Sequence, residues 1–137
     1  MKVGIVLITH ARIGVELIHA AEFILKEPLN FIPISVLNSD EAPYYQKQLK
    51  ECLAKAEEGK GVLLLSDMFG GTPANLCLPF LKEGKVELMT GVNLPMLLKL
   101  STLRNTLTLA ELVETLKMYG QRHVSRALDI LKTKNCS

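Results

Sequence analysis

The chain has 137 residues, 48% hydrophobic and 22% charged, the balance of a folded protein long enough to bury a core rather than a disordered one. Its net charge of only +2, scattered Lys and Arg, absence of Trp and 5% aromatic content argue against binding nucleic acid or an anionic membrane surface. Cys52, Cys77 and Cys136 stand far apart with no CxxC pair, so neither a disulfide framework nor a metal site is expected, and free thiols fit best.

Val3-Gly-Ile-Val-Leu-Ile8 is a short, continuous, β-branched run, the pattern of a strand buried on both faces. It meets His10 and Arg12 without a cleavage-like site, so it does not read as a signal peptide. No stretch approaches the roughly 20 apolar residues of a membrane span, and a cytoplasmic protein is expected. From Ile13 the period changes to that of a helix, with Ile13, Leu17, Ala20, Ala21 and Ile24 on one face. Pro28 stops that helix. Phe31 to Leu37 reads as a second strand, placed at a sheet edge by Pro33. A polar loop, residues 38–43, precedes an amphipathic helix from Tyr44 to Glu57.

Val62 to Leu65 is the third strand. It runs into Ser66-Asp67-Met-Phe-Gly70-Gly71-Thr72-Pro73, read as a flexible turn followed by a helix with Thr72 at the N-cap and Pro73 at the first helical position. That helix is expected to reach about Leu81. Val86 to Met89 is a fourth strand, followed by a glycine-bearing turn at residues 90–96 and a helix near Pro95 to Leu100. Residues 101–108 read as loop. Thr108 and Glu111 have the spacing of a capping box and open a long last helix to about Leu131, with a polar tail behind it.

Apolar strands alternating with helices predict an α/β fold, a mostly parallel sheet covered on both faces, as one domain over residues 1–137 with its core at about 2–131. Three turns, at His10, at Asp67 to Thr72 and at Gly91 to Asn93, then crowd one edge of the sheet. Ligands of open parallel sheets bind beyond the carboxyl ends of strands.

His19 and His123 fall within helices and read as surface or packing residues. His10 differs because it ends a buried strand, with a carboxylate, a glycine pair and a hydroxyl expected at the same edge. Such a group suits phosphoryl transfer through a histidine. An imidazole is largely neutral, hence nucleophilic, at physiological pH. A carboxylate such as Asp67, bonded to one ring N–H, fixes the tautomer and leaves the other nitrogen free to attack. Backbone N–H groups near Gly70, Gly71 and Thr72, with the Thr72 hydroxyl, supply donors to phosphoryl oxygens without metal or cofactor. No Walker A lysine follows the glycines, which weighs against a nucleotide site. Taken singly, each feature has an ordinary reading: a glycine turn, a turn-capping aspartate, an N-cap threonine and, at Arg12, a solvated charge.

Three segments carry a resemblance: Gly4-Ile-Val-Leu-Ile-Thr-His10, Asp67-Met-Phe-Gly-Gly-Thr-Pro-Ala-Asn75 and Gly91-Val-Asn-Leu-Pro-Met96. In order and spacing they resemble the mannose-family enzyme IIA domain of the bacterial sugar phosphotransferase system, and the similarity covers roughly residues 2 to 130. The resemblance implies that His10 accepts a phosphoryl group from the phosphocarrier HPr and passes it to a IIB partner. It implies that Asp67 orients His10, while Gly71 and Thr72 help to bind the phosphoryl group. It further implies a cytoplasmic homodimer whose subunits exchange a C-terminal strand, with a membrane permease engaged only indirectly. Two departures stand out: Ala11-Arg12 replaces the usual glycine after the histidine, and Thr72 replaces the usual serine. A regulatory module, in which the state of His10 controls binding to a target, shares the phosphorylation step. An α/β domain holding a nucleotide or phosphate in the glycine turn is a third reading.

Overall fold

The computed structural model describes residues 1–135. The apolar runs become four strands, β1 (Gly4–His10), β2 (Ile32–Val36), β3 (Val62–Ser66) and β4 (Val86–Thr90). They lie in the order β2-β1-β3-β4, with every neighbouring pair parallel. Parallel neighbours need crossover connections, and helices supply them: α1 (Ile13–Leu25), α2 (Ala42–Ala56) and α3 (Thr72–Cys77). After β4 follow α4 (Leu94–Leu103), α5 (Leu109–Arg122) and α6 (Ala127–Asn135). This is the expected α/β architecture. β2 is an edge strand, and Pro33 faces only β1, opposite Leu7.

Alternation along the central strands divides the core into two layers. Ile5, Leu7, Leu63 and Leu65 pack with Ile18 of α1, Leu97 and Leu100 of α4, and Leu112 and Leu116 of α5. Val6, Ile8, Val62 and Leu64 pack with Tyr45 and Leu49 of α2 and with Leu76 and Cys77 of α3. His10 continues the Val6–Ile8 alternation, so it closes β1 on the α2–α3 side of the sheet. Arg104, only 5% exposed, ties the far edge together by donating to the carbonyls of Val3 and Leu29 at 2.9 and 3.1 Å.

Several boundaries differ from those read in the sequence. The helix opened by Thr72-Pro73 ends at Cys77 and passes into one 3₁₀ turn, Leu78–Phe80, because Pro79 lacks an N–H and its ring would clash with the carbonyl four residues back. The long last helix is two helices, broken at residues 123–126. The capping box of Thr108 and Glu111 is present, but the stretch from Gly120 through His123, Val124 and Ser125 is poor in helix formers. Gly120 serves packing instead: a Cβ there would lie 2.8 Å from the sulfur of Met96. Residues 101–108 hold the end of α4 and a turn closed by hydrogen bonds from Asn105 to Thr102 and from Thr106 to Leu103. Among the described residues no strand follows β4; exchange of a strand is a property of two chains together. Cys136 lies outside the described residues, and Cys52 and Cys77 are free thiols.

Candidate functional site

β1 and β3 are neighbours, and their carboxyl ends bring His10 against Asp67, the first residue past β3. Asp67 Oδ2 lies 2.7 Å from His10 Nδ1, and its Oδ1 accepts the backbone N–H of His10 at 3.2 Å. One carboxylate therefore holds both the ring and the backbone of a single residue. The carboxylate is sheltered, at 15% exposed, whereas the imidazole is 42% exposed. Burial works against ionisation of Asp67, but hydrogen bonds from the His10 ring and backbone outweigh it and hold the carboxyl below its ordinary pKa. An ionised carboxylate only accepts, so Nδ1 carries the proton and Nε2 presents a lone pair to solvent. An imidazole held this way can act as a nucleophile.

Gly71 lies against that free edge. A Cβ on Gly71 would stand 2.5 Å from Cε1 and 2.8 Å from Nε2 of His10. Its φ of −97° and ψ of 174° are open to any residue, so glycine is required by the close approach of the ring. Gly70 is the reverse case. Its φ is +93°, a left-handed conformation, and nothing lies within 4 Å of where its Cβ would stand. Among the described residues the backbone N–H groups of Gly70, Gly71 and Thr72 make no hydrogen bond of good geometry, Gly71 closing only a loose turn over Phe69 and Gly70, which leaves them available to an anion at Nε2.

Thr72 is not the N-cap. Gly71 takes that place, its carbonyl accepting from Asn75 at 2.9 Å, and Thr72 is the first helical residue. An N-cap needs extended backbone, which Gly71 has and Thr72 has not. Only six residues long, α3 contributes little dipole, so the local donors carry the electrostatics. The Thr72 hydroxyl instead meets the Ser39 hydroxyl at 3.4 Å. Ser39 belongs to the turn after β2 and was not among the sequence candidates. Its position at the end of an edge strand, beside β1, is the signal that locates it.

The third turn braces the site without lining it. Val92 donates to the Ser66 carbonyl at 3.1 Å, and the Asn93 side chain caps α4 by accepting from Met96 at 3.1 Å. His19 and His123 are surface residues, as expected, His19 beside Glu16 and His123 bonded to the Tyr119 carbonyl. Arg12 is exposed and pairs with Glu16 at 3.4 Å. Ala11 adopts a φ of +46°, rare for a residue with a Cβ. Leu37, Met68 and Phe69, at the same sheet edge, are 72%, 51% and 74% exposed.

Comparison with known proteins places the chain in a family. The family model described as the PTS system fructose IIA component, EIIA-man, matches residues 4–117. The fructose-specific EIIA component of Bacillus subtilis (strain 168) is 30% identical over 137 residues, covering 97% of this chain and 94% of the relative. The mannose-specific EIIAB component of Escherichia coli (strain K12) is 33% identical over 100 residues, covering 72% of this chain but only 31% of that longer protein. Among solved structures, the mannose/sorbose-specific IIA subunit from Enterococcus faecalis superposes with a TM-score of 0.79 at 25% identity, covering 92% of this chain and 95% of that one. The chain belongs to the mannose-type EIIA family, the IIA components of the sugar phosphotransferase system, whose work is phosphoryl transfer.

Proposed function

We propose that His10 carries a phosphoryl group between two protein partners, taking it from phospho-HPr and giving it to a IIB protein. The observation that carries this reading is the 2.7 Å bond from Nδ1 to Asp67, which leaves Nε2 free beside Gly71. In the transfer step the Nε2 lone pair forms a new N–P bond while the N–P bond of the donor's phosphohistidine breaks. The electron pair of the broken bond stays on the donor ring. The His10 ring becomes positive as it keeps its Nδ1 proton, and the ionised Asp67 stabilises that charge. The N–H groups of residues 70–72 and the Thr72 hydroxyl donate to the phosphoryl oxygens. Onward transfer repeats the displacement with His10 as the leaving group.

A protein donor suits the surroundings. Exposed Leu37, Met68 and Phe69 supply apolar area for a protein face to bury, more than a small phosphate ester would use. Among the described residues no helix is long and apolar enough to cross a membrane. The working form in this reading is a cytoplasmic homodimer that reaches a permease only through IIB.

Intact mass after mixing the protein with phosphoenolpyruvate, enzyme I and HPr tests the reading. One acid-labile phosphoryl increment on the wild type, absent from His10→Ala, is the expected result. Labelling that survives His10→Ala removes the histidine from the mechanism.

A further inference from the structure

We infer that Ser39 is a further positioning residue of the phosphoryl site, acting through Thr72; this rests on the reading of His10 as phosphoryl acceptor. The Thr72 hydroxyl has one hydrogen-bond partner among the described residues, Ser39 Oγ at 3.4 Å, from a segment 33 residues away in sequence. The turn that presents Ser39 is itself held. The Asn38 side chain accepts from the Asp40 N–H at 2.9 Å, and the Tyr45 hydroxyl accepts from the Leu37 N–H at 3.0 Å. The same turn is anchored to the histidine strand, since Val36 pairs with His10 and accepts the Ala11 N–H at 3.0 Å.

A hydroxyl has one proton to donate and two lone pairs to accept with. With Nε2 unoccupied, Thr72 donates its proton to Ser39. When a phosphoryl dianion stands on Nε2, the proton of Thr72 turns to a phosphoryl oxygen. Ser39 then rotates and donates its own proton to Thr72 Oγ1. No covalent bond changes in this reversal. Its effect is to polarise the threonine hydroxyl toward the anion and to fix its rotamer, because hydrogen bonds in a chain strengthen one another. A separation of 3.4 Å is long for two hydroxyls, as expected of a pair that tightens only when the site is occupied. Ser39 does not itself touch the phosphoryl group.

Lifetime of the phosphohistidine is the readout. The wild type, Ser39→Ala, Ser39→Thr, Thr72→Ala and the Ser39→Ala/Thr72→Ala double variant are phosphorylated through enzyme I and HPr, freed of both, and followed by intact mass. Loss of one hydrogen bond predicts a lifetime shortened about 2- to 10-fold in Ser39→Ala, with recovery in Ser39→Thr. The double variant should decay no faster than Thr72→Ala, because Ser39 acts only through that hydroxyl. A Ser39→Ala lifetime equal to wild type overturns the inference, and so does a full Ser39→Ala effect in the Thr72→Ala background. Failure of the wild type to take up any phosphoryl group overturns the acceptor reading itself, a distinct result.

Discussion

Alanine at position 71 separates the geometry of the site from the stability of the fold. The added Cβ would sit 2.5 Å from His10 Cε1, so the ring must retreat by about 0.9 Å to reach 3.4 Å, the short end of ordinary contact. The backbone does not object, since φ −97° and ψ 174° suit alanine. The ring has room on its solvent side but is tethered by its 2.7 Å bond to Asp67 and by the backbone bond beneath it. Moving it therefore tilts Nε2 away from the donors of residues 70–72, or stretches the bond that sets the tautomer. Misplacement of a reacting group by about 1 Å costs on the order of 10²-fold in rate, about 2.7 kcal/mol of barrier. Quench-flow measurement of phosphoryl uptake from phospho-HPr, beside urea unfolding, reads the two quantities separately. We expect uptake slowed about 10²-fold and stability changed by less than about 1 kcal/mol. Uptake within about threefold of wild type, under about 0.7 kcal/mol, would refute the claim that the glycine is there for the ring. Gly70→Ala is the opposing control: its φ of +93° makes alanine cost about 1–2 kcal/mol of stability, and its Cβ strikes nothing.

Three further variants test the same geometry. Asp67→Asn keeps the shape but removes the charge, so uptake should fall by about 10²-fold or more. Because the folded carboxyl titrates below its ordinary value, its stabilising contribution is complete above the unfolded pKa of about 3.9 and is lost as pH falls through the lower folded value. The asparagine variant should therefore lose less stability than wild type on acidification through that window, and urea midpoints from pH 6 downward would show it; parallel curves would exclude Asp67 as a source of acid sensitivity. Phe69→Ser, at a residue 74% exposed, should raise KM for phospho-HPr while leaving chemical phosphorylation by phosphoramidate unchanged, and equal loss in both would place Phe69 in the chemistry rather than in docking. Ala11→Gly relieves a φ of +46° and should stabilise the chain by up to about 1 kcal/mol, the relief being partly offset by the freer unfolded glycine; a lower urea midpoint would mean that the alanine methyl contributes packing worth more than the strain.

Much of the fold was legible because it depends on pattern. Continuous apolar runs such as Val62–Leu65 have one way to hide both faces, between helices in a parallel sheet, and that alone brings His10 and Asp67 to one edge. Ends and breaks were less legible because they depend on single residues acting against the pattern. Pro79 stopped α3 early, although apolar residues continued beyond it. The capping-box spacing that opened the last helix marks its start and not its end, and so says nothing of Gly120, which is present for the sulfur of Met96 across the α4–α5 contact. The pairing of His10 with Asp67 could be proposed from chain order, but the closeness of Gly71 to the ring, which leaves no room for a Cβ, and the meeting of Thr72 with Ser39 are relations between separate segments, which no spacing within one segment encodes.

Ala11 shows how these two levels interact. Read as sequence, Ala11 stands after the histidine where the resemblance implies glycine. The fold gives the position a different meaning. β1 must end at His10 and α1 must begin at Ile13, and Thr9 Oγ1 accepts from the Gly14 N–H at 2.8 Å across that turn. Only two residues join the strand to the helix, and Ala11 turns left-handed there, at +46°, while donating to Val36 at 3.0 Å. A backbone demand of the kind that glycine meets most easily is met here with a methyl group in place. Alanine narrows the conformations open to the residue that follows His10, so the strain and a stiffer mounting for the imidazole arise from the same substitution.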